Sequence, residues 1–360
     1  MLKTIKPFFT ILIAVLVIAP FALLARTKPA EWVVFDGVRN FSYSMVCCLV
    51  DNNIPCTVLV RPQDMPFAET RLPASPLITI IPVEYDAAHT RPALLETVGA
   101  GAKYLFLDPE DDNFKTWPET VIATARNALY VARKQKLTLF YPARIYIFDN
   151  TATITEKSVP NPISLQGRVV NQLENMLNLA AQRKHCKIRK VRVSYAFGPA
   201  IYDYLMTTTF KDMPTLGRLT WLFRTDKPHQ FCYSYDVARL TLALATYKPE
   251  LYELNVQFSG YTYPSVEAFA EEISKIANVP LQQRIVSKLL LSIVTHFEAN
   301  AKRGSDLSAY FEQPAYMEDS IEILNAIGFQ PTETAIAIAK TLAWFAEHPA
   351  DLRSIFRHHQ

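Results

Sequence analysis

Tyr141, Arg144 and Tyr146 fall within six residues, at the end of the apolar run Leu137 to Tyr141. Phenols can donate or accept a proton and a guanidinium is a fixed cation, so such a set at a strand end could hold and protonate a reacting oxygen. Their alternative role is packing beneath the loop that follows. Two other apolar runs also end in charge. Tyr104 to Leu107 leads into Asp108-Pro109-Glu110-Asp111-Asp112, which reads as a solvated acidic loop with helix-capping aspartates. Thr57 to Val60 leads into Arg61, an arginine expected in solvent. The sequence offers little other chemistry. The seven histidines are scattered, and no H-E-x-x-H, C-x-x-C or G-x-S-x-G pattern occurs. Ser194 and Ser234 have no evident base. The five cysteines, Cys47, Cys48, Cys56, Cys186 and Cys232, lack metal-ligand spacing and read as small core residues, so no metal is expected.

The elements that would position these groups alternate. Strands are expected over Trp32 to Phe35, Thr57 to Val60, Leu77 to Val83, Tyr104 to Leu107, Leu137 to Tyr141 and Lys190 to Ala196. Helical patterns lie between them over Tyr43 to Asn53, Pro92 to Val98, Glu119 to Gln135 and Leu165 to Arg183. Strands alternating with helices argue a parallel sheet with right-handed crossovers, an α/β Rossmann-type doubly wound fold. Beyond Ala196 the pattern is mixed: a helix N-capped by Asp236, a strand over Tyr252 to Gln257, and helices over Ser265 to Ala277, Ser320 to Ile327 and Glu333 to His348. With no low-complexity linker, this smaller C-terminal α/β lobe must pack against the first. The expected organisation is 1–29 as a membrane anchor or signal segment, 30–196 as a Rossmann-type domain, 197–350 as an interleaved C-terminal lobe and 351–360 as a basic tail.

Half of the 360 residues are hydrophobic, 20% are charged and the net charge is +3, which excludes a disordered chain and gives no sign of a nucleic-acid partner. Residues 8–25 (FFTILIAVLVIAPFALLA) are apolar apart from Thr10 and long enough to cross a bilayer as a helix. The exit Leu23-Leu24-Ala25-Arg26 lacks a small-x-small cleavage pattern, so an uncleaved anchor is favoured over a signal peptide. The free amino terminus tips the orientation towards N-inside, which places the large domain on the extracytoplasmic or luminal side, or makes it secreted or periplasmic if the segment is cleaved. Asn40-Phe41-Ser42 then forms a glycosylation sequon. Twenty-four prolines stand against nine glycines, few for a fold that uses glycine where backbone approaches phosphate.

Read in order, the segments WVVFDGVRNFSYSMVCCLVDNNIPCTVLVRP, LTLFYPARIYIFDN, PNPISLQGRVVNQLENML, VRVSYAFGPA, FCYSYDVARLTLAL, YELNVQFSGYTYPSVEAFAEEIS and IGFQPTETAIAIAKTLAWF resemble the extended short-chain dehydrogenase/reductase superfamily, in its NAD-dependent epimerase/dehydratase branch. The resemblance covers about 315 of the 360 residues. It implies a G-x-x-G-x-x-G phosphate loop, and the three positions here are Asp36, Arg39 and Ser42, with Gly37 one place off the pattern. It implies a catalytic tyrosine, lysine and serine, and those positions hold Gln166, Val170 and Arg144. Glutamine has no titratable proton and valine cannot reach a ribose hydroxyl. Tyr141 and Tyr146 are the available substitutes. Arg61 matches the position that would favour NADP over NAD, and Asp108 begins the acidic loop beside the nicotinamide position. A cleft filled by Arg39, Arg144 and Asp108 could not hold a dinucleotide in the usual pose.

These replacements make the chain a degenerate, pseudoenzyme-like relative: a membrane-associated binding or scaffold protein with no cofactor, acting on a small ligand or a protein partner. The alternative is a divergent NAD(P)-dependent oxidoreductase or epimerase acting on a sugar-nucleotide or lipid-like substrate. In that family, helices such as the one beginning at Leu165 often form a dimer interface, which leaves a homodimer open.

Overall fold

The computed structural model describes residues 30–348 except 99–100, 112, 150–152, 289–290, 292–298 and 315. The expected anchor at 8–25, the tail at 351–360 and Asp112 lie outside the described residues, and no described helix is long and apolar enough to cross a membrane.

Seven parallel strands form the main sheet: β1 (Trp32–Phe35), β2 (Cys56–Val60), β3 (Ile78–Pro82), β4 (Tyr104–Leu107), β5 (Thr138–Arg144), β6 (Lys187–Val193) and β10 (Glu253–Phe258). Their order is β10-β6-β5-β4-β1-β2-β3. The strand order turns between β1 and β4, which opens a crevice at the carboxyl ends, where ligands bind in such sheets. β1 is buried along its whole length, as a central strand covered on both faces must be. Helices α3 (Arg91–Val98), α4 (Trp117–Gln135) and α5 (Leu165–Gln182) form one covering layer, while α1 (Asn40–Asp51) packs with α7 (Ser234–Leu244) in the other.

The C-terminal half contains β7 (Tyr195–Phe197), β9 (His229–Tyr233) and β11 (Tyr261–Tyr263) in one small sheet, and β8 (Arg218–Leu222) beside β12 (Gln282–Val286) in another. Its core is aromatic: Phe231 stacks on Phe269 of α8 (Val266–Ala277) at 4.1 Å, and Phe197 on Phe210 of α6 (Tyr204–Leu216) at 5.7 Å. The halves interlock, because β10 joins the main sheet and the final helix Thr334–Glu347 reaches α1, where Trp344 donates to the Tyr43 hydroxyl at 3.1 Å.

Several boundaries move for physical reasons. β5 extends three residues past Tyr141 to Arg144, because β6 pairs with it as far as Val193. The run Lys190 to Ala196 is split at Ser194, whose hydroxyl donates to the Ser259 carbonyl at 2.6 Å as the chain passes into the smaller sheet. Asp236 is not the N-cap of α7, a place taken by Tyr233. Instead Asp236 sits in the first turn, fully buried, accepting from Thr332 N at 2.8 Å and pairing with Arg239. Ser234 accepts from the Ser44 hydroxyl at 2.7 Å, a structural contact between helices.

Candidate functional site

The crevice is built first by the turn from β1 into α1. Asp36 and Asn40 adopt φ of 54° and 50°, a left-handed backbone that glycine takes freely and that costs other residues roughly 1 kcal/mol each. The turn keeps its shape through other bonds: Asp36 N donates to Leu59 O at 3.0 Å, Asn40 N to Ala200 O at 2.7 Å, and the Ser42 hydroxyl to Phe35 O at 2.7 Å. Gly37 serves packing, since a Cβ there would fall 2.3 Å from Val58 Cγ1. The Asn40-Phe41-Ser42 sequon is buried, and Asn40 accepts from Tyr202 N at 3.0 Å, so its amide is unavailable for glycosylation in the folded chain.

Arg39 does not enter the crevice as an anion ligand. Its guanidinium is 2.9 Å from Asp64 Oδ1 and 3.5 Å from Asp36, all three residues being buried. Arg61, expected in solvent, is buried too, 2.9 Å from Asp64 Oδ2 and over the ring of Tyr85. Burial opposes the Arg61 charge, but the neighbouring Tyr85, Asp36 and Asp64 raise its pKa above the ordinary value. Two guanidiniums and two carboxylates thus offset each other beneath the loop. Asp64 was not foreseen, although its spacing three residues after Arg61 is a readable signal for a local ion pair.

The acidic stretch is likewise not solvated at its start. Asp108 is 2% exposed and Glu110 7% exposed. Asp108 Oδ2 accepts from Phe41 N, at the N-terminus of α1, at 3.1 Å, while Arg144 Nη2 reaches Asp108 Oδ1 at 2.9 Å and Glu110 Oε1 at 3.1 Å. Burial pushes the Asp108 carboxyl upward against the pull of Arg144; for Arg144, the two carboxylates outweigh burial and raise its pKa. Asp111 does not cap α4 through its backbone; it accepts from the hydroxyls of Thr116 and Thr120 at the α4 amino end at 2.7 and 2.9 Å. A helix N-terminus at this place in a Rossmann-type sheet is where a phosphate is held. Here a carboxylate of the chain itself is hydrogen-bonded there.

Tyr141, Arg144, Tyr146, Gln166 and Val170 do come together, around a 20 Å³ cavity that Asp108 and Glu110 also line. Burial raises the Tyr141 phenol well above its ordinary pKa, so it keeps its proton at neutral pH and supplies no base. Tyr146 packs on Tyr195 and Tyr310, whose hydroxyl donates to Tyr146 O at 2.6 Å. Gln166 and Val170 are buried on α5. The amino end of α5 is closed by Asp306, which accepts from Leu165 N and Gln166 N, both at 2.8 Å. No local signal points to Asp306 because it lies some 140 residues downstream. A second cavity, of 60 Å³, continues towards α6 between Asn40, Arg144, Tyr146, Tyr202 and Asp203. That is room for a few water molecules. No group of histidine, cysteine or carboxylate side chains among the described residues could hold a metal.

No family model and no curated protein matches the sequence. Solved structures do match. A dTDP-glucose 4,6-dehydratase, DesIV of Streptomyces venezuelae with NAD bound, superposes at TM-score 0.70 with 14% identity over 90% of this chain and 99% of its own. A UDP-N-acetylglucosamine 4-epimerase of Methanobrevibacter ruminantium gives 0.69 and 14% over 89% and 99%. A UDP-glucuronic acid 4-epimerase of Bacillus cereus, in complex with UDP-glucuronic acid and NAD, gives 0.67 and 12% over 88% and 99%. The fold of the described chain is that of the nucleotide-sugar epimerases and dehydratases.

Proposed function

We propose that this chain is a non-catalytic binding or scaffold protein built on the epimerase/dehydratase fold and held at a membrane by residues 8–25. The observation that carries the reading is Asp108, hydrogen-bonded to the α1 N-terminus and ion-paired with Arg144 where a dinucleotide phosphate would need that helix end. A pyrophosphate there would meet Asp108 and Glu110 in a buried setting, and like charges in low dielectric repel strongly. The residues present therefore do not fit a dinucleotide, and we derive no hydride-transfer step. Gln166 and Val170 add a second argument, since neither provides the acid/base group or the ribose-binding cation that such chemistry uses. The remaining crevice, with Asn40, Arg144, Tyr146 and Asp203 around it, suits a small polar ligand or a side chain of a partner.

The alternative is a divergent NAD(P)-dependent oxidoreductase or epimerase on a sugar-nucleotide or lipid-like substrate. The observation favouring it is that structural neighbours matching 88–90% of the chain contain NAD. The two readings separate when the full chain in detergent is incubated with NAD and UDP- or dTDP-glucose and the sugar is followed by NMR. The proposal expects the sugar unchanged; a 4-epimer or 4-keto product lost on Arg144→Ala substitution would replace it with the alternative.

A further inference from the structure

The outer face of α4 and α5 carries a one-signed charge. Arg126, Arg133 and Lys134 on α4, and Arg183 and Lys184 just after α5, are exposed, and none has a carboxylate partner among the described residues. The only carboxylates on these two helices are Glu119, at the opposite end of α4, and Glu174, which is buried with Lys190 and Arg192. Between the helices runs a 330 Å³ groove floored by Leu129, Met176, Leu179 and Ala180 and edged by Arg126, Arg133 and Arg183. Cations around an apolar floor suit an anionic amphiphile. A second copy of the same face is the competing occupant.

The place of this charge in the fold points to the partner. β1, β4, β5 and β6 are in register at their amino ends, Trp32 with Tyr104, Tyr104 with Thr138, and Thr138 with Lys187. The cationic turns before Thr138 and Lys187 thus lie at the same level as the start of β1, roughly 10 and 14 Å to one side at the usual strand spacing. Only Arg26 to Glu31 separate the apolar run 8–25 from β1. Six residues reach at most about 20 Å. If residues 8–25 span a bilayer, this end of the sheet cannot stand far from the headgroups.

We propose that the basic end of the α4–α5 layer docks on the anionic surface of the bilayer that residues 8–25 enter, fixing the domain with its crevice pointing away from the membrane. This rests on the membrane reading above, and the test separates the two. Full-length chain is placed in nanodiscs of phosphatidylcholine alone, or of equal parts phosphatidylcholine and phosphatidylglycerol, and backbone hydrogen exchange is measured. Residues 129–137 and 179–187 are expected to exchange more slowly in the anionic discs, with added salt removing the difference. Arg133→Glu and Arg183→Glu should weaken the protection about fivefold or more each, while exchange in α1 stays unchanged. Equal exchange in both discs overturns the docking and leaves the anchor standing. Protection that instead grows with protein concentration in detergent assigns the face to a second copy and also overturns it. A chain that enters neither disc overturns the anchor and the docking together.

Discussion

Arg144 holds two buried carboxylates at once, and its removal is expected to expose the cost of that arrangement. In Arg144→Ala, Asp108 and Glu110 face each other without a cation in a site where both are nearly inaccessible. Breaking a buried pair from one side costs about 3–5 kcal/mol. Urea unfolding at neutral pH should show a loss of that order, shrinking as the pH falls and the carboxyls take up protons; a loss below about 1 kcal/mol would mean the site is hydrated and its charges weakly coupled. His229 offers a second residue-scale test. Its ring is buried against Tyr195, Trp221 and Phe231, and burial lowers its pKa. The unfolded chain then binds a proton that the folded chain refuses, so this contribution is fully present above the ordinary histidine value near 6.5 and is lost as the pH falls below it. His229→Gln should flatten that acid-side decline in thermal melts, and an unchanged pH profile would show that the ring binds its proton equally well in the folded and unfolded chain.

At the scale of elements, the sheet was legible because strands such as β1 (WVVF) and β4 (YLFL) are short apolar runs set between helical patterns, as a covered parallel sheet requires, whereas β6 (KIRKVRV) carries no such run. Trp32–Phe35 and Tyr104–Leu107 occur as read. The gathering of Arg144, Gln166 and Val170 was legible too, through the resemblance and the fixed geometry of strand and helix. The partners of the charged residues were not. Arg61 reads as a solvated arginine and Arg39 as a side chain filling the cleft because nothing local in the sequence brings both to one buried Asp64, and Asp306 reaches α5 only through tertiary packing. Glycines are few for a fold that uses them where backbone approaches phosphate, and Asp36 and Asn40 hold the left-handed backbone without one. Gly37 is the glycine that the turn region does require. Gly37→Ala should cost about 1–3 kcal/mol through its clash with Val58. Gly304→Ala, with nothing within 4 Å of the new methyl, should be neutral or stabilising by up to about 1 kcal/mol. Equal effects in denaturant melts would contradict the close approach of the turn between β1 and α1 to Val58 of β2.

For the whole molecule, the fold of a nucleotide-sugar enzyme is retained while its phosphate end is occupied by the chain's own charges, and fold does not by itself carry function. The halves interlock through contacts the crevice does not supply: β10 and the terminal helix tie the C-terminal lobe to the sheet and to α1. The most direct test of this account is a fluorescence titration of NADH and NADPH into the full-length chain. The account predicts no saturable binding at micromolar concentrations to the wild-type chain; saturable micromolar binding of either nucleotide would contradict it.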